Sequence, residues 1–244
     1  MNFKNTLLLL LTITSLLFTS CEKMRCIKGN DNRITESRNP GIFMGVISEA
    51  DFEINVVVDT AFESPEVVVT ADENLLTYIE TKISGQDLYI KTYDNRCLKS
   101  DRPIVINISM PDIDYMELAG SGDMSIENVE RHQLDLTLSG SGVIDAYNIF
   151  VDVLNIDHIG SGEIKLNGQA GSGEYNLDGS GKINGYNMEL NNCYIDLEGS
   201  GEVIVWVWDY LYVEIEGSGM VYYRSSLPTD WDFRIPGSGQ VTRY

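Results

Sequence analysis

Histidine is nearly absent: His132 and His158 are the only two in 244 residues. Four cysteines occur without any Cys-x-x-Cys or Cys/His spacing, so the sequence supplies no zinc-type ligand set, and no metal or cofactor is expected. Basic residues are scarce too, 17 Lys and Arg against 37 Asp and Glu, for a formal charge of −20. That balance repels phosphate backbones and anionic membrane surfaces, which excludes nucleic acid as a partner. The chain also lacks a glycine-rich loop that leads into a helix or ends in Gly-Lys-Ser/Thr, the features a phosphate cradle needs. No Ser, Thr or Cys stands at a spacing that pairs it with a base, so no catalytic residue is assigned.

Long apolar runs are confined to the start. Lys4 precedes the run Leu7–Phe18, which is too short for a comfortable membrane span and ends in Thr19-Ser20-Cys21. Residues 1–20 read as a lipoprotein signal peptide with Cys21 as the acylated new N-terminus, although Phe18 stands where the lipobox usually has an aliphatic residue; an ordinary secretory signal is the alternative. Removing residues 1–20 takes away Lys4 and leaves 224 residues at −21. The mature chain is expected in the cell envelope, held by lipid and facing either the periplasm or the surface.

What the sequence has in abundance is a repeat. Gly-Ser-Gly triplets begin at Gly120, Gly140, Gly160, Gly179, Gly199, Gly217 and Gly237, in steps of 20, 20, 19, 20, 18 and 20 residues. An eighth, at Gly171, falls off this register. A period near twenty marks a solenoid in which each unit buries its apolar face against its neighbours. Two residues before each triplet stand Leu118, Leu138, His158, Leu177, Leu197, Ile215 and Ile235; four after its first glycine stand Met124, Ile144, Ile164, Ile183, Val203, Val221 and Val241. Polar residues alternate with these columns, as in strands with one buried face. The fold class expected is all-β: a single-stranded β-helix of about 20 residues per coil over 116–244, preceded by an irregular β cap over 41–115, the two making one continuous domain. Each triplet is read as a corner, with the serine hydroxyl bonding to backbone. The calcium-binding nonapeptide roll does not fit, because its double glycine and recurrent Asp are missing.

Residues 21–40 are polar and aperiodic, and read as a tether. Within the cap, 52–58, 66–71, 76–83, 87–93 and 104–110 read as strands. Cys26 and Cys97 are a candidate disulfide in an oxidising envelope, a pairing the sequence leaves open, and Cys193, in an inward column with Leu134, Leu154 and Leu211, reads as a buried thiol.

The run Ala71-Asp72-Glu73-Asn74-Leu75-Leu76, the segment Ile104-Val105-Ile106-Asn107-Ile108-Ser109-Met110-Pro111, the Leu-x-Gly-Ser-Gly corners, and Gly217-Ser218-Gly219-Met220-Val221-Tyr222-Tyr223 followed by Pro228 together resemble the GIN domain family. That family is described as putative auto-transporter adhesin heads and is common in envelope lipoproteins of Gram-negative bacteria. The resemblance covers about Ile34 to Tyr244. It implies a β-helical architecture and an adhesin-like role, with no catalytic residues to carry over. Arg224-Ser225-Ser226-Leu227 departs from the tighter, Gly-containing link usual before the equivalent of Pro228.

Outward aromatics are the candidate contact surface. Tyr147, Tyr186 and Trp206 lie seven after a first Gly, Tyr194 and Tyr212 five before one, and Trp208 and Tyr210 continue the same strand. Stacked across coils they would make a flat strip suited to sugar rings, a protein ligand or a second copy of the chain. The function expected is a non-catalytic, adhesin-like binding or scaffolding module at the outer membrane. The alternative is a carbohydrate-active enzyme using outer-face carboxylates, with Glu198, Glu202, Glu214 and Glu216 as its acids. His158 reads as a core histidine, and His132 has no evident partner.

Overall fold

The computed structural model describes residues 26–224 and 228–244. The expected signal peptide, the expected lipidation site Cys21 and residues 225–227 of the departing link lie outside the described residues. Cap strands come first: β1 (Ile27–Lys28), β2 (Arg33–Arg38), β3 (Gly45–Ser48), β4 (Glu53–Val58), β5 (Glu66–Asp72), β6 (Ile79–Ser84), β7 (Asp87–Thr92), β8 (Leu98–Lys99) and β9 (Val105–Met110). After β10 (Tyr115–Gly120), five long bent strands each make most of a coil: β11 (Asp123–Gly140), β12 (Val143–Gly160), β13 (Glu163–Gly179), β14 (Lys182–Gly199) and β15 (Glu202–Gly217). The chain closes with β16 (Met220–Tyr223), β17 (Asp230–Arg234) and β18 (Gln240–Arg243). The whole is a β-solenoid of about 6 turns of roughly 20 residues.

Successive coils pair in parallel and residue for residue. Leu138 lies beside Leu118 and His158, and Ile144 beside Met124 and Ile164. Leu138, Ile156 and Val203 are fully buried, so the inward columns form one narrow apolar interior. The corners explain the triplet. The first glycines of the six corners from Gly120 to Gly217 take positive φ, from 110° at Gly199 to 157° at Gly120. A Cβ on Gly160 would stand 2.4 Å from the Gly140 carbonyl oxygen one coil earlier. From the second corner on, the triplet's second glycine leaves a gap filled by the inward side chain of the coil before: Leu118 under Gly142, Leu138 under Gly162, Leu177 under Gly201. The serine works differently from the expectation. Its backbone N–H donates to the preceding coil's glycine carbonyl, as Ser141 does to Gly120 at 3.0 Å, while the hydroxyls point to solvent.

Three sequence readings of the N-terminal region need correction. The cap is less irregular than expected, because β3 pairs β10 and β4 pairs β11 in the solenoid's own register, which makes 45–58 most of an additional coil. Its corner at Ser48–Phe52 carries no glycine triplet, which hid it from the repeat. The supposed tether is folded from Cys26 on: β1 pairs β8, and β2 runs antiparallel to β5. Asn74 fastens it, donating to the Lys28 carbonyl at 2.8 Å and accepting from the Asn30 N–H at 2.9 Å. Finally, the expected strand over 76–83 begins as a 3-10 turn, Glu73–Tyr78, before β6. Leu75 and Leu76 are both buried, which strict alternation forbids, and the Arg38 guanidinium takes the carbonyls of Leu76 and Ile79. Beyond the cap, Ile235 is exposed instead of inward, because it lies in the last described coil with no described coil stacked over it.

The interior holds two polar exceptions in the repeats. His158 occupies a leucine position, 1% exposed, and burial lowers its pKa. Neither ring nitrogen finds a hydrogen-bond partner among the described residues. The ring fits because Gly181 has no Cβ there to meet it. Tyr175 is likewise fully buried, its hydroxyl unpartnered and its pKa raised by burial. An unpaired buried polar group costs about 1–3 kcal/mol, so His158→Leu should stabilise the fold by about 1–2 kcal/mol. The sign with pH follows. An imidazole whose folded pKa is depressed takes up its proton preferentially in the unfolded chain, so stability falls as pH drops below the unfolded value near 6.5. Urea titrations from pH 7.5 to 5 should show that loss in the native chain and a shallower loss in His158→Leu. Parallel curves for the two proteins would disprove it.

Candidate functional site

A groove lies on the face of the solenoid that follows the turns at Asn128 and Asn148. Asn128 and Asn148 turn the chain there with φ of 66° and 60°, and Asn148 Nδ2 donates to Asn128 Oδ1 at 2.8 Å. Asparagine tolerates this left-handed region because its short amide bonds locally. Three residues follow before the next corner: Ile149 inward, Phe150 outward, Val151 inward. Such a face carries one outward column, and the register lines up Glu130, Phe150, Gln169, Glu189 and Trp206. The adjoining corner carries Asp152, Gly171 and Asn191, with Trp208 beyond them. Gly171 has no side chain and Ala170 only an inward methyl, so the surface sinks between the coils on either side. The result is a groove of about 670 Å³, with Phe150 towards one end and Trp208 at the other. Both rings are nearly half exposed, at 43% and 46%. The Trp208 indole donates to Glu189 Oε2 at 3.4 Å.

The off-register triplet now has two roles. Gly171 opens the groove outside. Gly173 lies in the inward column between Leu154 and Cys193, and a Cβ there would come within 2.9 Å of the Tyr175 ring. The triplet is therefore a packing device for one coil and not one of the positive-φ Gly-Ser-Gly corners.

The aromatic residues picked from the sequence do not form one continuous strip: Trp206 and Trp208 stay together, with ring centroids 5.6 Å apart, while the others stand in separate places. Tyr194 and Tyr212 stand in register on another face, and Tyr210 joins them, with ring centroids 5.7 Å and 6.4 Å from Tyr194 for Tyr210 and Tyr212. The Tyr212 hydroxyl donates to Glu214 at 2.5 Å, which raises its pKa. Trp206 does not stack over Tyr186. The register shifts between Asn184 and Glu189, so Trp206 pairs with Glu189. Arg224 fills the space between those two rings, its guanidinium 4.3 Å from the Tyr186 centroid and 3.9 Å from that of Trp206. Its Nη1 also donates to the Tyr186 carbonyl at 2.8 Å. These rings serve an internal cation–π stack, which Tyr244 extends edge-on to Tyr186 at 5.3 Å. Tyr147 stands alone on an earlier corner, exposed. Phe150 escaped sequence reading because Asn-Ile-Phe-Val-Asp-Val-Leu looks like a plain buried run; only the αL turn at Asn148 sets its ring outward.

Acids proposed for chemistry are largely engaged. Glu202 pairs with Lys182 at 2.6 Å, and that bond raises the lysine pKa; Glu214 holds Tyr212; Glu198 lies beside Glu216 in the outward column. His132 has a partner after all, Asp152 one coil on, at 2.7 Å. Among the described residues no group of three or more His, Cys, Asp or Glu is placed to hold a metal ion. Cys26 and Cys97 are disulfide-bonded, Cα–Cα 4.5 Å. Cys193 is fully buried, and burial pushes its thiol well above the usual range, which leaves it unreactive.

The chain is thus a parallel β-solenoid with a groove running along its coils and aromatic rings towards both ends of that groove. The chain belongs to the family described as putative auto-transporter adhesin, head GIN domain, whose model matches residues 43–226. It is similar in structure to a putative adhesin from Bacteroides fragilis, with a TM-score of 0.81 at 21% identity, covering 89% of this chain and 100% of that one. It is also similar to a putative lipid binding protein from Parabacteroides distasonis, with a TM-score of 0.74 at 23% identity, covering 90% and 100%. A putative adhesin from Parabacteroides merdae follows at 0.66 and 18%, covering 89% and 98%. At these identities the likeness is one of fold. No curated protein matches the chain in sequence.

Proposed function

We propose that the protein is a non-catalytic, adhesin-like binding module of the cell envelope, lipid-anchored at Cys21 in the outer membrane, whose contact surface is the groove between Phe150 and Trp208. The observation that carries this is the groove itself: five coils contribute to it, and its two rings keep much of their surface exposed where Tyr186 and Trp206 spend theirs on Arg224. Family membership supports an adhesin-like role. A concave, pre-formed site of this size with a few polar groups is where a ligand gains most for least reorganisation.

The test is attachment. Beads coated with the protein should adhere to epithelial cells or to extracellular matrix, and the double variant Phe150→Ala/Trp208→Ala should lose at least about tenfold of that, since each ring supplies a contact on the order of 1 kcal/mol. Tyr194→Ala/Tyr212→Ala, on the other face, should adhere like the native chain. Loss in the second variant and not in the first would move the contact surface to the tyrosine face. Cys21→Ser should release the protein from the membrane fraction.

A further inference from the structure

Building on that reading, we propose that the groove takes a neutral glycan chain laid along the solenoid axis, its sugar rings resting on Phe150 and Trp208.

Spacing comes first. Coils stack at about 4.8 Å, so three steps separate the coil of Phe150 from that of Trp208 by about 14 Å. Two platforms that far apart suit an extended oligomer and exceed a single ring. Between them the floor is low, because Gly171 and Ala170 put nothing in the way. Above the floor stand Gln169 and Asn191, whose amides bond to nothing else among the described residues, so each has donors and an acceptor left for hydroxyl groups. Asp152 and Glu189 add acceptors. Sugars present an apolar face and a hydroxyl edge, the two chemistries found here side by side.

Charge removes one set of competitors. Glu130, Asp152 and Glu189 border the groove, and the nearby cation Arg131 is turned away, donating to Asp112 Oδ1 at 2.8 Å and to the Ile113 carbonyl. Uronates, sialylated chains and anionic lipid headgroups would meet three carboxylates of which, among the described residues, only Asp152 has a basic partner, His132. Backbone chemistry weakens the case for a peptide strand over the middle of the groove: β12 to β14 are bonded on both sides by their neighbours and offer no open edge for β-augmentation there. Along those coils a basic peptide would have to bind through side chains alone.

The experiment uses the full chain in detergent and calorimetric titration with neutral gluco-, manno-, galacto- and N-acetylglucosamine oligosaccharides of increasing length, with oligolysine as the competing class. At least one neutral series should bind, tightening from the disaccharide to the tetrasaccharide and then levelling off, with little change on raising salt. Trp208→Ala and Phe150→Ala should each weaken it about tenfold. Gln169→Trp, which fills the dent without removing a platform, should abolish it, and Tyr212→Ala should leave it unchanged. Thermal melts of each variant separate lost binding from lost folding. Absence of binding by every neutral series, or equal binding by Trp208→Ala and Phe150→Ala, overturns the proposal. Salt-sensitive oligolysine binding that depends on Trp208 overturns the glycan and leaves the groove as the contact surface. Undiminished adhesion by Phe150→Ala/Trp208→Ala defeats the earlier reading itself.

Discussion

Gly160→Val should cost about 4 kcal/mol of stability, and the damage should be concentrated at one coil boundary. Two penalties combine. The φ of 126° lies where a β-branched side chain is strained by roughly 1–3 kcal/mol. The added Cβ would also sit 2.4 Å from the Gly140 oxygen, and overpacking of that kind costs about 1–3 kcal/mol or more. Relaxation is blocked, because the Gly140 carbonyl is already accepting the N–H groups of Ser161 at 2.9 Å and Gly162 at 3.1 Å. Moving it breaks two ladder bonds. In a solenoid each coil holds only its neighbours, so weakening one boundary uncouples what lies on either side. All three tryptophans, Trp206, Trp208 and Trp231, lie beyond this corner. Urea unfolding followed by fluorescence should therefore separate from unfolding followed by far-ultraviolet dichroism in Gly160→Val, while the two coincide in the native chain. Ser161→Val, next door and exposed, should shift stability by less than about 0.5 kcal/mol. A Gly160→Val midpoint close to the native one would show that the corners are not what sets the coil.

That corner also shows why so much of the fold was readable. Counted from the nearest Gly-Ser-Gly corner, one inward column predicts the next: Leu118 and Leu138, Met124 through Val221, Cys193 between Gly173 and Leu211. The columns are set by backbone pairing, which repeats whatever the side chains. Legibility ended where the register shifts between corners. Steps of 19 and 18 residues are absorbed by shifts after Ala146, Lys165, Asn184 and Leu190, and each shift alters which outward residue meets which. Tyr186 and Trp206 occupy equal counts from a glycine and yet do not pair. The groove was illegible for a related reason, since it depends on a missing side chain at Gly171 and on a turn at Asn148, and neither carries an aromatic or charged signal. The early coil at 45–58 was hidden because its corner does without Gly-Ser-Gly. Positions defined by backbone stacking could be counted, and positions defined by departures from it could not.

Replacing both Cys26 and Cys97 by serine should cost about 3–4 kcal/mol. The bond closes a segment of 71 residues, and chain entropy in the unfolded state makes a closure that long worth about 4 kcal/mol at most. Local structure offers little substitute. β1 meets β8 over only two residue pairs, in a small sheet of its own apart from the main one. What else holds this corner is the partly buried Ile27 and Leu98 packed on the core and a few polar contacts: Asp72, 1% exposed, accepts from the Ser100 hydroxyl at 2.9 Å, and the Glu73 N–H donates to the Asn32 carbonyl at 2.9 Å. Hydrogen bonds of this kind contribute about 1 kcal/mol each and only while the segment is already in place. Without the bond, residues 26–32 should exchange their amide hydrogens much faster, while β11 to β15 stay protected until global unfolding. Denaturation of the native chain with and without dithiothreitol, beside Cys26→Ser/Cys97→Ser, measures the effect. A drop under about 1 kcal/mol would mean that the cap holds itself. Under the proposed anchoring at Cys21, five residues upstream, a pull on the anchor would reach the described fold at Cys26, and the disulfide would pass it to Cys97 instead of peeling β1 away.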